Sequence, residues 1–374
     1  MISPQFFIEK LREEGVEFYA GVPDSLLKNV CAYITDHLDH QHNIIAANEG
    51  GAVALAAGYH LATGKVGCVY MQNSGEGNAV NPLASLTDRD VYHIPLLLLI
   101  GWRGRPGVHD EPQHLKQGKI TTGLLNVLGI DYEVLSKDEE KASAQIKKAL
   151  QRIREYGEAF ALVVEKDTFD SYSLQNVVLN NYTMSREEAV RIVAASIPAD
   201  AIIVSTTGMI SRELFEYRTV MGQGHERDFL TVGSMGHASM IALAIALQHP
   251  ERKVYCFDGD GASIMHMGNM AIVGSRRPQN YIHVVFNNGA HDSVGGQPTV
   301  GHEIDLVEIA YAMHYEHALC VAKPEELKDA LDNMSPSCLQ LIEVRVKKGN
   351  RKDLGRPTTS PVENKEALMS FLKI

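Results

Sequence analysis

Cysteine is scarce and shows no pairing pattern. The five among 374 residues, Cys31, Cys68, Cys256, Cys320 and Cys338, are scattered mostly within apolar runs, with no C-x-x-C pair. That excludes a disulfide framework and reads as reduced, buried thiols. Long apolar runs are lacking too, the longest being Ile94 to Ile100, far short of the ~20 residues that cross a bilayer. The opening MISPQFFIEKLREEG carries acidic residues rather than a basic segment followed by an apolar stretch, so no secretory signal is expected and a cytoplasmic protein is. Positive charge is also in deficit. Lys and Arg number 35 against 46 Asp and Glu, a net charge of -11, and such a field repels nucleic acid and anionic membranes alike. Neither is expected as a partner, and an anionic small molecule must meet a local basic patch.

What is present is an ordinary globular composition, 45% hydrophobic and 22% charged, in a chain long enough for two domains. Short apolar segments alternate with amphipathic ones. In the first half the expected strands are Val16 to Ala20, Ile44 to Ala47, Val66 to Met71, Leu96 to Ile100, Tyr132 to Leu135 and Phe160 to Val164; helices are expected over Pro4 to Glu14 and Ser25 to His37. In the second half the strands are Ile202 to Ser205, Lys253 to Phe257, Tyr281 to Phe286 and Leu339 to Val346. This rhythm predicts an α/β fold of two parallel sheets, each covered by helices. A polar, aperiodic stretch at 169–184 divides a domain at 1–168 from one at 185–374, the latter opening on Ser185-Arg186-Glu187-Glu188 as a capping box.

The strongest local signal is YCFDGDGASIMHMGNMAIVGSRRPQNYIHVVFNNGAH. A strand ends at Phe257, Asp258-Gly259-Asp260-Gly261 turns, a helix runs to about Gly274, and a second strand delivers Asn287-Asn288 at its carboxyl end, where open α/β sheets bind ligands. Glycines on both sides of Asp260 let backbone amides approach a diphosphate at a helix N-terminus. Asp260 would repel that anion unless a hard cation lies between, and Mg²⁺ accepts such a mixture of carboxylate, amide and phosphate oxygens. A lone D-G-D-G reads more readily as a turn, and Ala262 breaks an EF-hand pattern. The combination of G-D-G, helix, strand and N-N favours a cofactor.

That combination resembles the signature of thiamine-diphosphate enzymes. The resemblance implies two domains of the cofactor-binding fold, pyrimidine-type and then diphosphate-type, with no middle domain. It implies Asp260, Asn288 (rather than Asn287) and the Ala290 carbonyl as metal ligands, and Gly259, Asp260, Gly261 and Ala262 as the diphosphate segment. Gly233-Ser234-Met235 is similar to the segment that bends the cofactor, with Met235 as the apolar wedge and the Gly233 carbonyl accepting from the aminopyrimidine. In NIIAANEGGAVALAAGYHLATGK, Glu49 takes the place of the carboxylate beside the pyrimidine; it should be partly buried with a raised pKa. The resemblance further implies that Glu49 comes from one subunit and the diphosphate and Mg²⁺ site from another, hence a homodimer or larger homo-oligomer.

Within the family the chain is similar to the 2-oxo acid decarboxylases that act on anionic substrates, through Gly21-Val22-Pro23-Asp24-Ser25-Leu26, Gln72-Asn73-Ser74-Gly75, GWRGRPGVHDEPQH, NNGAHDSVGGQPT and RKDLGRPT. Phosphonopyruvate is the expected substrate, in phosphonate metabolism. Sulfopyruvate is the alternative, and a carboligase or a non-catalytic cofactor sensor is more remote. Arg103 and Arg105, on a glycine-rich loop after a strand, suit a phosphonate because guanidinium offers a planar fork. Arg351 and Arg356 could add to them. Asp24, His109 and His114 are the expected proton-handling or orienting groups, with Asn73, Ser74, His291 and Ser293 as loop residues facing the cofactor. His109 and His114 lack the H-E-x-x-H spacing of a zinc site.

Overall fold

The structure, a computed structural model, describes residues 1–177, 180–335 and 337–373. Residues 178 and 179 of the expected linker lie outside the described residues. The chain divides into one unit of Met1–Val177 with Val294–Gln297 and another of Val178–Ser293 with Pro298–Ile374.

In the first unit six parallel strands, β1 (Phe18–Gly21), β2 (Asn43–Ile45), β3 (Gly67–Gln72), β4 (Leu96–Gly101), β5 (Asp131–Val134) and β6 (Phe160–Val164), lie in the order β2-β1-β3-β4-β6-β5. The central strands are buried throughout, as parallel strands covered on both faces must be. One face sets Tyr19, Tyr70, Leu97 and Leu99 against Phe7, Ile34 and Ile146 of three helices. The other sets Val69, Leu98 and Ile100 against Ala52, Val53 and Ala56. Small alanines let the helix Glu49–Thr63 lie close to the sheet, and its start is fixed by Asn48, whose side chain accepts from the Gly51 N–H at 2.9 Å. Glu49 is thereby pinned to the first helical position, just beyond the carboxyl end of β2. The expected helix from Ser25 begins instead at Lys28, because the Asp24 carboxylate takes up the N–H groups of Leu26 and Leu27 in a turn.

The second unit has β7 (Ile202–Ser205), β8 (Asp228–Leu230), β9 (Val254–Gly259), β10 (Tyr281–Asn287), β11 (His317–Val321) and β12 (Gln340–Arg345), in the order β11-β12-β10-β9-β7-β8 and again all parallel. Numbered from its own first strand and read from the β8 edge, the order is second, first, third, fourth, sixth, fifth. That is the order of the first unit. Its core likewise lies on both faces, around Phe257, Val284, Phe286 and Val344 on one and Val204, Cys256, Val285 and Leu341 on the other.

Three local expectations are corrected. β9 extends through Gly259, so the helix begins directly at Asp260; it then breaks after Met265 and resumes at Gly268, instead of running unbroken to Gly274. Only half of the Ser185 capping box forms, the serine oxygen accepting from Glu188 N–H at 3.1 Å. The edge strands β8 and β11 were not anticipated. Four of the five cysteines are buried and all five are free, Cys320 being the exposed one. Among the described residues no helix is long and apolar enough to cross a membrane.

Candidate active site

The sequence candidates gather at the carboxyl ends of strands in both units. In the first unit Asp24 follows β1, Glu49 follows β2, Asn73 and Ser74 follow β3, and Arg103 follows β4. Asp24 is fully buried, and burial raises its pKa although Leu26 and Leu27 donate to its Oδ2 at 2.9 and 3.2 Å. Space for it exists because β4 ends in glycine: a Cβ on Gly101 would sit 2.1 Å from that oxygen.

Glu49 is 5% exposed and burial raises its pKa. Among the described residues Asn78 partners its side chain, donating from Nδ2 to Oε2 at 2.7 Å. Gly75 makes room for the carboxyl, since a Cβ there would lie 2.3 Å from Oε1. A carboxyl held this way, desolvated and touched by a neutral amide, carries a proton more readily than a surface glutamate.

Arg103 does not present an open fork. Its Nε donates to Asp110 Oδ2 at 2.8 Å and its Nη2 to the other oxygen of the same carboxylate, while Nη1 reaches Ser25 Oγ at 2.6 Å. Asp110 also accepts from Gly104 N at 2.8 Å and lies 2.8 Å from His114 Nδ1. Despite its burial, these donors hold its carboxyl far below the usual range, whereas burial lowers the His114 pKa. Asn73 fastens the loop from below, donating to Arg103 O at 2.8 Å and to Thr121 Oγ1 at 2.9 Å. Arg105 pairs with Glu165 at 2.8 Å beside the Trp102 ring, and His109 and Ser74 are exposed. Asp24, Asn73, Arg103 and His114 are thus brought into one network; Arg105 and His109 stand outside it.

In the second unit Asp260 opens the helix after β9, 3% exposed, with burial raising its pKa to about 6. The Thr299 hydroxyl donates to its Oδ2. Asn287 and Asn288 end β10 but differ in their surroundings. The amide of Asn287 is committed internally, donating to Gly301 O at 2.7 Å and Glu343 Oε1 at 2.8 Å and accepting from Gly289 N at 3.1 Å. Asn288 donates to Asp292 Oδ2 at 2.6 Å, and among the described residues its Oδ1 accepts only from Ala290 N, at 3.0 Å. A side chain on Gly261 would meet the His291 ring at 3.2 Å and Met235 Cε at 3.6 Å. Met235, Gly261 and His291 therefore adjoin, and burial lowers the His291 pKa to about 4, leaving the ring neutral. The segment holding Met235 has an unusual backbone, with positive φ at Gly233 (72°), Ser234 (46°) and Gly236 (82°), and strain of this kind concentrates at binding sites. Ser293 is exposed, and Arg351 is engaged by Glu187 at 3.1 Å and by Glu216.

Similarity to known proteins agrees with this arrangement. Residues 4–123 match the thiamine pyrophosphate enzyme N-terminal TPP binding domain and residues 206–344 the C-terminal TPP binding domain. The chain belongs to the thiamine pyrophosphate enzyme family, and thiamine diphosphate is its cofactor. It is 34% identical to the phosphonopyruvate decarboxylase of Streptomyces viridochromogenes, over 100% of this chain and 95% of that one, and 33% identical to that of Streptomyces hygroscopicus, over 97% and 92%. The sulfopyruvate decarboxylase of Methanosarcina acetivorans is 27% identical over 92% of this chain and 91% of its own.

The residues present fit the cofactor's diphosphate and a divalent cation. Asp260 is a buried carboxyl that forms no ion pair among the described residues, its side chain accepting from the Thr299 hydroxyl, and Asn288 Oδ1 keeps an unused lone pair. Gly301 leaves the space beside Asp260 clear, since a Cβ there would lie 2.8 Å from Asp260 Oδ2. The hydroxyl of Ser263, in the first turn after Asp260, is buried without a partner.

Several residues escaped sequence reasoning. Asn78, Asp110 and Asp292 act through contacts that depend on loop folding and leave no spacing signal. Glu76 did leave one, a Gly-Glu-Gly that mirrors the Gly-Asp-Gly at Asp260. It is 3% exposed, and burial raises its pKa to about 8 against a smaller lowering by the nearby Thr121 hydroxyl.

Proposed function

We propose that the chain decarboxylates 3-phosphonopyruvate to phosphonoacetaldehyde and CO₂, as a cytoplasmic homodimer or larger homo-oligomer with shared active sites. The observation that carries this reading is the full-length likeness to two decarboxylases named for that substrate. Bound thiamine diphosphate supplies the nucleophile and the electron sink for loss of CO₂. Asp260, Asn288 and the Ala290 carbonyl would hold Mg²⁺ against the diphosphate, with the amides of Gly261 and Ala262 and the Ser263 hydroxyl turned to its oxygens. Met235 would bear on the cofactor beside Gly261. Glu49, its pKa raised by burial and its carboxyl steadied by Asn78, would share a proton with the pyrimidine N1′.

Arg103 would read the phosphonate, with Asp110 and Asn73 fixing the guanidinium in place. Because Asp110 already occupies the fork, the contact would come from Nη1, now on Ser25. Asp24 and His114 would orient the substrate and handle the proton taken up by the product. Sulfopyruvate is the second reading, favoured by the likeness to the Methanosarcina protein. Release of CO₂ from phosphonopyruvate, sulfopyruvate and pyruvate, with phosphorus NMR of the product and with thiamine diphosphate and Mg²⁺ each omitted in turn, tests the proposal. Phosphonoacetaldehyde formed only with both additives is expected; a higher kcat/KM for sulfopyruvate overturns the substrate, and no CO₂ from any of the three overturns the activity.

A further inference from the structure

We infer that Asp292 is a positioning residue of the metal site, fixing the Asn288 amide so that its oxygen, not its NH₂, is offered to the cation. The inference rests on the proposed role of Asp260 and Asn288 as metal ligands. An asparagine amide can be turned end for end at little intrinsic cost, and only its partners decide which end faces where. Here both partners speak for one orientation. The Ala290 N–H can only donate and meets Oδ1 at 3.0 Å, while the Asp292 carboxylate can only accept and meets Nδ2 at 2.6 Å. With the amide reversed, two N–H groups would point at a divalent cation and a carbonyl oxygen would face a carboxylate.

Asp292 is itself held. Its Oδ2 also accepts from the Gly349 N–H at 2.8 Å and from Arg186 Nη1 at 3.3 Å. Arg186 is anchored in turn by Glu213, at 3.0 Å from Nε and 2.9 Å from Nη2, with both side chains almost wholly buried. The chain Glu213, Arg186, Asp292, Asn288 thus runs from the interior to the proposed ligand. Three donors on one oxygen leave Asp292 suited to orienting a neighbour rather than to ligation. Carboxylates that orient a metal ligand through its second polar atom are typically worth about 10- to 100-fold in metal affinity.

The test is titration of full-length protein with Mn²⁺ in place of Mg²⁺, in the presence of thiamine diphosphate, read by electron paramagnetic resonance of the free ion. Thermal unfolding without cofactor or metal is followed alongside. Asp292→Ala and Asp292→Asn are expected to weaken Mn²⁺ binding by about 10- to 100-fold, with unfolding of the metal-free protein little changed. The exchange Asp292→Asn with Asn288→Asp restores a carboxylate–amide hydrogen bond with donor and acceptor reversed. It should recover most of the affinity lost in Asp292→Asn alone, which a merely structural role for Asp292 does not predict. Asp260→Ala separates the two layers of the argument. If Asp260→Ala loses Mn²⁺ while both Asp292 variants bind as wild type does, the inference falls and the metal site stands. Wild-type affinity in Asp260→Ala overturns the metal site beneath it, and affinity lost only in step with the metal-free fold overturns the positioning role.

Discussion

The two units share a strand order but treat buried charge in opposite ways. The first unit buries three carboxyls, Asp24, Glu49 and Glu76, and among the described residues none of them forms an ion pair; burial raises the pKa of each. The second unit buries Arg186 with Glu213 and Arg218 with Asp228 as ion pairs and holds Asp260 without one among the described residues. The difference suits the two halves of one cofactor. An acid that lends a proton to a pyrimidine is useful neutral, and burial without a counter-charge favours that form. A site for diphosphate and Mg²⁺ needs fixed charge, and buried ions persist only when paired.

The largest expected effect of breaking this pattern is in the second unit. Arg218 is wholly buried and grips Asp228 through Nε at 2.9 Å and Nη2 at 3.2 Å. Arg218→Ala leaves Asp228 unpaired on β8, the strand that leads to Gly233 and Met235, and should cost about 3–5 kcal/mol. Urea unfolding measures it, and a loss below ~1 kcal/mol would place the pair among weak surface contacts.

In the first unit the corresponding experiment has the opposite sign. Glu76 is a lone acid whose folded pKa, about 8, lies above its ordinary value of 4.5. The folded state therefore binds the proton more tightly, and stability falls as pH rises from 4.5 towards 8. Glu76→Gln removes that dependence. Its unfolding free energy, measured by urea denaturation, should exceed that of wild type at pH ~8.5 by an amount on the order of a few kcal/mol, and the advantage should shrink towards pH ~5. An equal offset at both pH values would mean that Glu76 does not titrate in the fold.

A smaller effect is expected where the first unit does pair a charge. Arg103→Ala should lower kcat/KM for phosphonopyruvate about 10- to 100-fold, the loss of a charge-assisted contact of ~1.5–3 kcal/mol, while slow turnover of pyruvate hardly changes. Arg105, 44% exposed and paired with Glu165, should matter less. Equal losses on both substrates in Arg103→Ala would show that Arg103 holds the loop through Asp110 and does not read the anion.

How much of this was legible in the sequence follows the same physical lines. Strands buried on both faces, such as Leu96–Gly101 and Phe160–Val164, appear as apolar runs and could be read directly. Edge strands were read unevenly: Asn43–Ile45 and Asp131–Val134 of the first unit overlap expected strands, whereas Asp228–Leu230, which opens on a charge, and His317–Val321, which turns Leu319 and Cys320 outward, were missed. The helix break after Met265 is silent too, since ASIMHMGNMAIVG carries no proline and its interior glycine, Gly268, only restarts the helix. Among site residues, Asp260 and Glu49 were marked by flanking glycines and a helix start. The fork of Arg103 looked free because Asp110, seven positions on, reaches it only once the loop is folded. Asp292 stayed hidden because two of its partners, Arg186 and Gly349, come from distant segments, and its contact with Asn288, four positions back, forms only once the loop is folded.

The division of labour between the units is tested most directly by the exchange rate of the thiazolium C2 proton in Glu49→Gln with thiamine diphosphate and Mg²⁺ bound. Glutamine keeps the size and the contact with Asn78 but has no carboxyl proton to share, so cofactor affinity should stay near that of wild type while C2 hydrogen–deuterium exchange slows by orders of magnitude. Exchange as fast as in wild type, with the cofactor bound, would contradict the account and move activation of the cofactor to another residue.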